Sequence, residues 1–176
     1  EQKGQPFFLW YAPMLPHSPH NPPERLFKKY QKAGRSDHIS RYYAMCEWFD
    51  ETVGELLGML EQRGLKENTI VLFATDNGWI QDPDSPKYAA KSKRSPYDGG
   101  LRTPIIVRWP DHIPAGMFDT PVSTIDIAPT ILAACGITPK DPLPGLDLAA
   151  IAKAGGKTDR TRLYGEIFEH DVADID

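Results

Sequence analysis

Apolar residues fall along this chain in two periods. From Asp37 to Arg63 the positions Ile39, Tyr42, Cys46, Phe49, Val53, Leu56 and Leu60 recur at three and four, the spacing of one face of a long amphipathic helix, which Gly64 ends. Elsewhere apolar residues run without alternation. Phe7–Ala12, Thr69–Ala74 and Ile105–Trp109 are continuous short runs, as expected of strands buried on both faces. Leu163–Phe168 reads as a last strand, Glu24–Lys32 as a short helix, and Asp126–Cys135 as a helix with Pro129 in its first turn. Between the first run and Glu24, the prolines Pro13, Pro16, Pro19, Pro22 and Pro23 exclude regular structure. Strands alternating with helices predict a layered α/β fold.

Asn77–Thr103, between the second and third strands, has no periodicity. A connection of that length inside a compact domain is usually functional or disordered. It opens at Thr75-Asp76-Asn77-Gly78, where a carboxylate and a carboxamide stand side by side at a strand's C-terminal end. In open α/β sheets ligands bind at such ends, and oxygen donors suit a hard cation such as Ca²⁺ or Mg²⁺. The same four residues also make an ordinary turn, because Asn and Gly accept positive φ and Asp caps local amides. Further along, Lys87, Lys91, Lys93 and Arg94 stand together without an acid, a pattern that collects an anion or merely faces solvent.

Composition narrows the classes. At 176 residues with 40% hydrophobic content, the chain has the size of one domain and can bury a core. A net charge of −4 excludes a binder driven by neutralising nucleic-acid phosphates. No apolar run reaches the roughly 20 residues of a membrane-spanning helix. Cys46 and Cys135 sit in apolar helical patterns and read as buried free thiols. The chain begins without Met and stops just after a strand-like run, so both ends read as cut.

Four motifs occur in one order: the strand leading into Pro16-His17-Ser18-Pro19, the Asp76-Asn77-Gly78 turn, Lys93 four positions before Tyr97-Asp98-Gly99-Gly100-Leu101-Arg102-Thr103-Pro104, and Asp126-Ile127-Ala128-Pro129-Thr130. In that order and spacing the chain resembles the sulfatases of the alkaline-phosphatase-like superfamily over nearly its whole length. The resemblance implies an α/β/α sandwich around a mixed, largely parallel sheet, incomplete here. Residues 1–176 would then be the middle of a longer catalytic domain, without its nucleophile half or its C-terminal subdomain. It also implies a hydrolase for sulfated saccharides or aryl sulfates. Asp76 and Asn77 match two calcium ligands, His17 a histidine that contacts the sulfate group, and Lys93 a lysine that bridges sulfate and nucleophile.

The resemblance implies that the formylglycine nucleophile and the other two carboxylate ligands lie outside this chain, and no Cys/Ser-x-Pro-x-Arg nucleophile motif occurs in it. Calcium is expected over magnesium. Asp98 replaces the commoner glutamate of its motif and is expected to hold the loop and pair with Arg102, which is counted with the substrate-binding residues. His20 either lines the substrate pocket or faces solvent. Gly99 and Gly100 are read as positions needing positive φ or close approach, and Asp126 as a helix N-cap. Asp111, His112, Glu169, His170 and Asp171 are expected in turns or at the surface. The family implies a periplasmic or extracellular site, with the remainder of the same polypeptide as partner. Two other readings stand beside this one: a phosphonate or phosphodiester hydrolase of the same superfamily, and a non-catalytic truncated domain that binds an anion or a partner protein.

Overall fold

The computed structural model describes residues 4–165. They form two compact units: one holds the chain up to Glu55 together with Gln81–Tyr88, the other Leu56–Ile80 and the chain from Ala89 onward.

In the first unit, α1 (Glu24–Tyr30) starts directly after Pro22 and Pro23, with Glu24 in its first turn and Lys28 and Lys29 in its last, where each charge suits the helix dipole. It ends at Tyr30, two residues before the predicted end. The long helix α2 (Asp37–Gln62) follows the apolar periodicity and continues past Glu55 as the start of the second unit. The Ser36 hydroxyl accepts the Ile39 N–H at its start. At its end Gly64, at φ 67°, lets Leu65 N–H reach the Leu60 carbonyl and Gly64 N–H the Glu61 carbonyl, closing a Schellman turn. Two ion pairs run from α1 to α2, Arg25 with Glu51 and Lys29 with Glu47 at 2.5 Å, while Tyr30 meets Tyr43 edge-on at 5.9 Å. Leu26, Phe27, Ala44 and Met45 are buried. Of the predicted stripe only Leu60 is fully buried; Ile39 to Leu56 are half-covered.

The predicted strand Phe7–Ala12 does not form. These residues carry no regular structure, and Phe8 is 72% and Trp10 80% exposed. A strand needs a ladder partner for its N–H and C=O groups, and no described residue pairs with this segment.

In the second unit, β1 (Val71–Ala74) and β2 (Ile105–Arg108) pair antiparallel, with Val71 opposite Arg108 and Ala74 opposite Ile105. This is the one named strand pair among the described residues, a small antiparallel piece where a largely parallel sheet is expected. Within the excursion between the two strands lies the four-residue helix α3 (Asp98–Leu101); the isolated bridge of Gln81 with Tyr88, on the same stretch of chain, belongs to the first unit. A 3₁₀ turn (Thr124–Asp126) then leads into α4 (Ile127–Ala134), and α5 (Leu148–Lys153), absent from the sequence expectation, packs on it. The Asp147 carboxylate caps α5 by accepting Ala149 N–H at 2.8 Å.

Asp126 does not cap α4 with its side chain. It is the third residue of a capping box opened by Ser123 and is fully buried. Its carboxylate accepts Ser123 N–H, Leu146 N–H and both terminal nitrogens of Arg160, at 2.6–2.9 Å. Burial pushes its pKa up, and these bonds more than offset that, holding the carboxyl below its ordinary value. Cys46 is half-buried, with burial raising its thiol pKa, whereas Cys135 is exposed because α4 stops one residue before it; both are free. Leu163–Gly165 carry no regular structure. The rest of the predicted last strand, with Glu169, His170 and Asp171, lies outside the described residues.

Candidate active site

The chain leaves β1 at Ala74 and turns through Thr75-Asp76-Asn77-Gly78. Asp76 Oδ1 accepts the Asn77 N–H at 3.0 Å, and Asn77 Nδ2 donates to the Gly78 carbonyl at 2.9 Å. The Asn77 carboxamide thus keeps its oxygen as electron-pair donor beside the exposed Asp76 carboxylate. That donor set fits a hard cation in kind. It fits only in part, since Ca²⁺ takes six to eight oxygens, and no group of three or more His, Cys, Asp or Glu is placed to hold a metal ion among the described residues.

The turn is fastened to the Tyr97–Gly100 loop through its backbone. Gly78 N–H donates to the Gly100 carbonyl at 2.7 Å. A Cβ on Gly78 would overlap the Gly99 carbonyl, one on Gly99 would stand 2.8 Å from the Lys91 carbonyl, and one on Gly100 would overlap the Ser92 carbonyl. Neither Gly99 nor Gly100 has positive φ, so of the two reasons open for these glycines, close approach is the one that applies.

Lys93 lies on the same loop, half-buried, with Nζ 5.8 Å from the centre of the Trp79 ring, within cation–π reach. Lys91 is exposed, and its ammonium sits over Tyr97 at 4.8 Å. Asp98 and Arg102 approach to 3.7 Å one helical turn apart, both more than 80% exposed, so the expected pair is a weak surface one. The second unit thus contains Asp76, Asn77, Lys93 and Arg102, and its backbone is joined at Gly78 and Gly100 between the first pair and Arg102.

His17 and His20 belong to the first unit. His17 is exposed, and its Nδ1 bonds the Ser18 carbonyl oxygen at 2.7 Å. His20 is half-buried and tilted against Tyr42 at 5.5 Å, so it does not simply face solvent. Burial pushes its pKa below the ordinary histidine value; a bond to the Pro16 carbonyl opposes this, while His17 and His38 add to it. Asp111 is in a turn at φ 62°, and His112 stacks on Trp109 at 4.1 Å.

Sequence reasoning missed two residues here. Ser92 is fully buried beside Lys93, yet between two lysines it reads as solvated; Arg160 pairs with an acid 34 positions away, and nothing local announces it.

The family model for sulfatases matches residues 1–137. The chain belongs to the sulfatase family. Among curated relatives of this sulfatase segment, the uncharacterized sulfatase YdeN of Escherichia coli (strain K12) is 36% identical over 141 residues, 78% of the chain. Arylsulfatase A of Homo sapiens is 31% identical over 173 residues, 93% of the chain. The segment spans 25% of the first and 32% of the second, about a quarter to a third of their lengths. A protein solved with its substrate D-glucosamine-2-N,6-O-disulfate is 30% identical, with a TM-score of 0.56 over 71% of this chain and 25% of its own. A phosphonate monoester hydrolase from Silicibacter pomeroyi, 24% identical with a TM-score of 0.58 over 70% of this chain and 24% of its own, shares the fold. The α/β, alkaline-phosphatase-like class expected from the sequence is thus the fold of its neighbours.

Proposed function

We propose that this chain supplies the sulfate-binding residues and half of the metal-binding residues of an enzyme that hydrolyses sulfate esters, with sulfated saccharides or aryl sulfates as its substrate class. The observation that carries the reading is the backbone fastening of the Asp76–Gly78 turn to the Tyr97–Gly100 loop, with Lys93 held on that loop. A sulfate ester resists attack because its peripheral oxygens repel nucleophiles. The Lys93 ammonium, bridging the sulfate and the nucleophile, neutralises those oxygens and lowers the repulsion that the nucleophile meets in the transition state. His17 contacts the sulfate group and gives a proton to the departing oxygen, a role suited to imidazole near neutral pH. Arg102 and His20 contribute to substrate binding.

Asp76 and Asn77 would hold Ca²⁺ in preference to Mg²⁺, and the bound cation supplies Lewis-acid polarisation of the sulfate. Residues 1–176 are read as part of one catalytic domain whose nucleophile comes from elsewhere in the same polypeptide. The location read for it is periplasmic or extracellular; among the described residues no helix is long and apolar enough to cross a membrane. Relatives at 30–36% identity named for sulfatase activity support this reading over the phosphonate hydrolase, which shares the fold at 24% identity.

The test assays the complete polypeptide with p-nitrophenyl sulfate and with p-nitrophenyl phenylphosphonate, with and without Ca²⁺. The reading expects kcat/KM to favour the sulfate ester by at least about 100-fold. Preference for the phosphonate would overturn it, and turnover indifferent to chelators would remove the calcium assignment.

A further inference from the structure

A lysine side chain has four rotatable bonds, so its charge is only as well placed as the backbone that carries it. The backbone around Lys93 is unusually constrained. Lys91 and Arg94, on either side of Ser92-Lys93, have φ of 59° and 63°, a left-handed region that side-chain-bearing residues occupy only when their surroundings impose it. Between them Ser92 is fully buried. Its hydroxyl oxygen accepts the Ile80 N–H at 2.6 Å, and its carbonyl accepts the Ser95 hydroxyl at 2.5 Å. That carbonyl also occupies the space a Cβ on Gly100 would need, while Ala89 N–H donates to the Ile80 carbonyl at 2.8 Å. Ile80 lies two residues after Gly78, so the bond to Ser92 ties the outgoing limb of the Asp76–Gly78 turn to the returning limb that bears Lys93.

We propose that Ser92 is a positioning residue: through its bond to the Ile80 amide it sets where the Lys93 ammonium stands relative to the Asp76–Asn77 turn. The proposal rests on the reading of Lys93 as the sulfate-neutralising lysine. Without the hydroxyl the Ile80 N–H loses its partner, and the strained pair of residues around Lys93 loses its anchor. The charge remains, but its position is averaged over several rotamers and backbone states. The loss falls on the transition state more than on ground-state binding, because a displaced point charge still attracts an anion.

A double-mutant cycle in the complete polypeptide tests this, with Ser92→Ala, Lys93→Ala and the pair. The readouts are kcat and KM for p-nitrophenyl sulfate and the dissociation constant of inorganic sulfate by calorimetry. Ser92→Ala is expected to lower kcat about tenfold, to change KM less than about threefold, and to have no further effect once Lys93 is alanine. Ser92→Thr, which keeps the hydroxyl, should recover most of the kcat. Additive effects in the double variant, or a Ser92→Ala enzyme with wild-type kcat, would overturn the proposal. If Lys93→Ala alone leaves both kcat and sulfate affinity unchanged, the failure belongs to the underlying reading of Lys93. Should Ser92→Ala not fold, Ser92→Cys, of similar volume and weak as an acceptor, completes the same cycle with the same outcomes.

Discussion

Phe7–Ala12 and the Asp76–Gly78 turn are both sharply marked in the sequence, and the chain treats them differently. The apolar run carries no regular structure and leaves Phe8 and Trp10 largely exposed. The polar turn is fully assembled, with Gly78 and Gly100 joined at 2.7 Å. A buried strand is a non-local object: its backbone groups require neighbours that no described residue provides. The turn and its loop make their hydrogen bonds within a short stretch of chain, and the buried carboxylate of Asp126 finds all its partners among the described residues, the farthest 34 positions away. Hydrophobicity says that a segment must be covered; it does not say by what.

Substitutions can break or sharpen this contrast. Arg160→Ala should cost the most, about 3–5 kcal/mol by denaturant titration, because it leaves the Asp126 carboxylate buried without its cation. The Asp126 carboxyl lies below its ordinary value of 3.8 in the folded chain. Its unfolded form therefore takes the proton first, so its stabilisation is complete above about pH 4 and is lost as pH falls through the folded pKa. Wild-type denaturation midpoints should drop across that acid range more steeply than those of Arg160→Ala; parallel curves would show that the pair does not hold the second unit together.

Gly100→Ala comes next, since its Cβ would meet backbone that cannot move aside; about 3 kcal/mol is expected, again by denaturant titration. Gly54→Ala, on α2 with nothing within 4 Å of the added Cβ, should instead stabilise by roughly 0.5–1 kcal/mol. If the two glycines respond alike, close packing does not distinguish the loop. Smallest of all, Trp10→Ser in this chain should change stability by less than about 0.5 kcal/mol, because the ring is 80% exposed. A loss above 2 kcal/mol would mean that the segment is covered, and the contrast would fail.

What the sequence revealed follows the same division. The α2 helix and its end at Gly64 were legible because periodicity and a Schellman glycine act within one turn of helix. The close approach at Gly99 and Gly100 was legible as one of two needs, but its partners Gly78, Ser92 and Ser95 were not, because only folding brings them together. The α5 helix carried a signal that went unread, an Asp147 cap before Leu-Ala-Ala-Ile-Ala, closed by Gly155-Gly156. Arg160 carried none, since a pair across 34 positions leaves no local pattern. The strand at Phe7–Ala12 does not form because pairing is not a local property: the apolar run marks a segment to be covered, and no described residue supplies its ladder.

The most direct test compares two lysines on one loop. Lys93 stands near Trp79 beside the fastened turn, whereas Lys91 is exposed over Tyr97. In the complete polypeptide, kcat/KM for an aryl sulfate is measured for Lys93→Ala and Lys91→Ala. Lys93→Ala should lose about 100-fold or more, by analogy with removal of an oxyanion donor, and Lys91→Ala should stay within about threefold of wild type. Equal losses in the two variants, or a Lys93→Ala enzyme within about threefold of wild type, would contradict the assignment of this loop to the sulfate group.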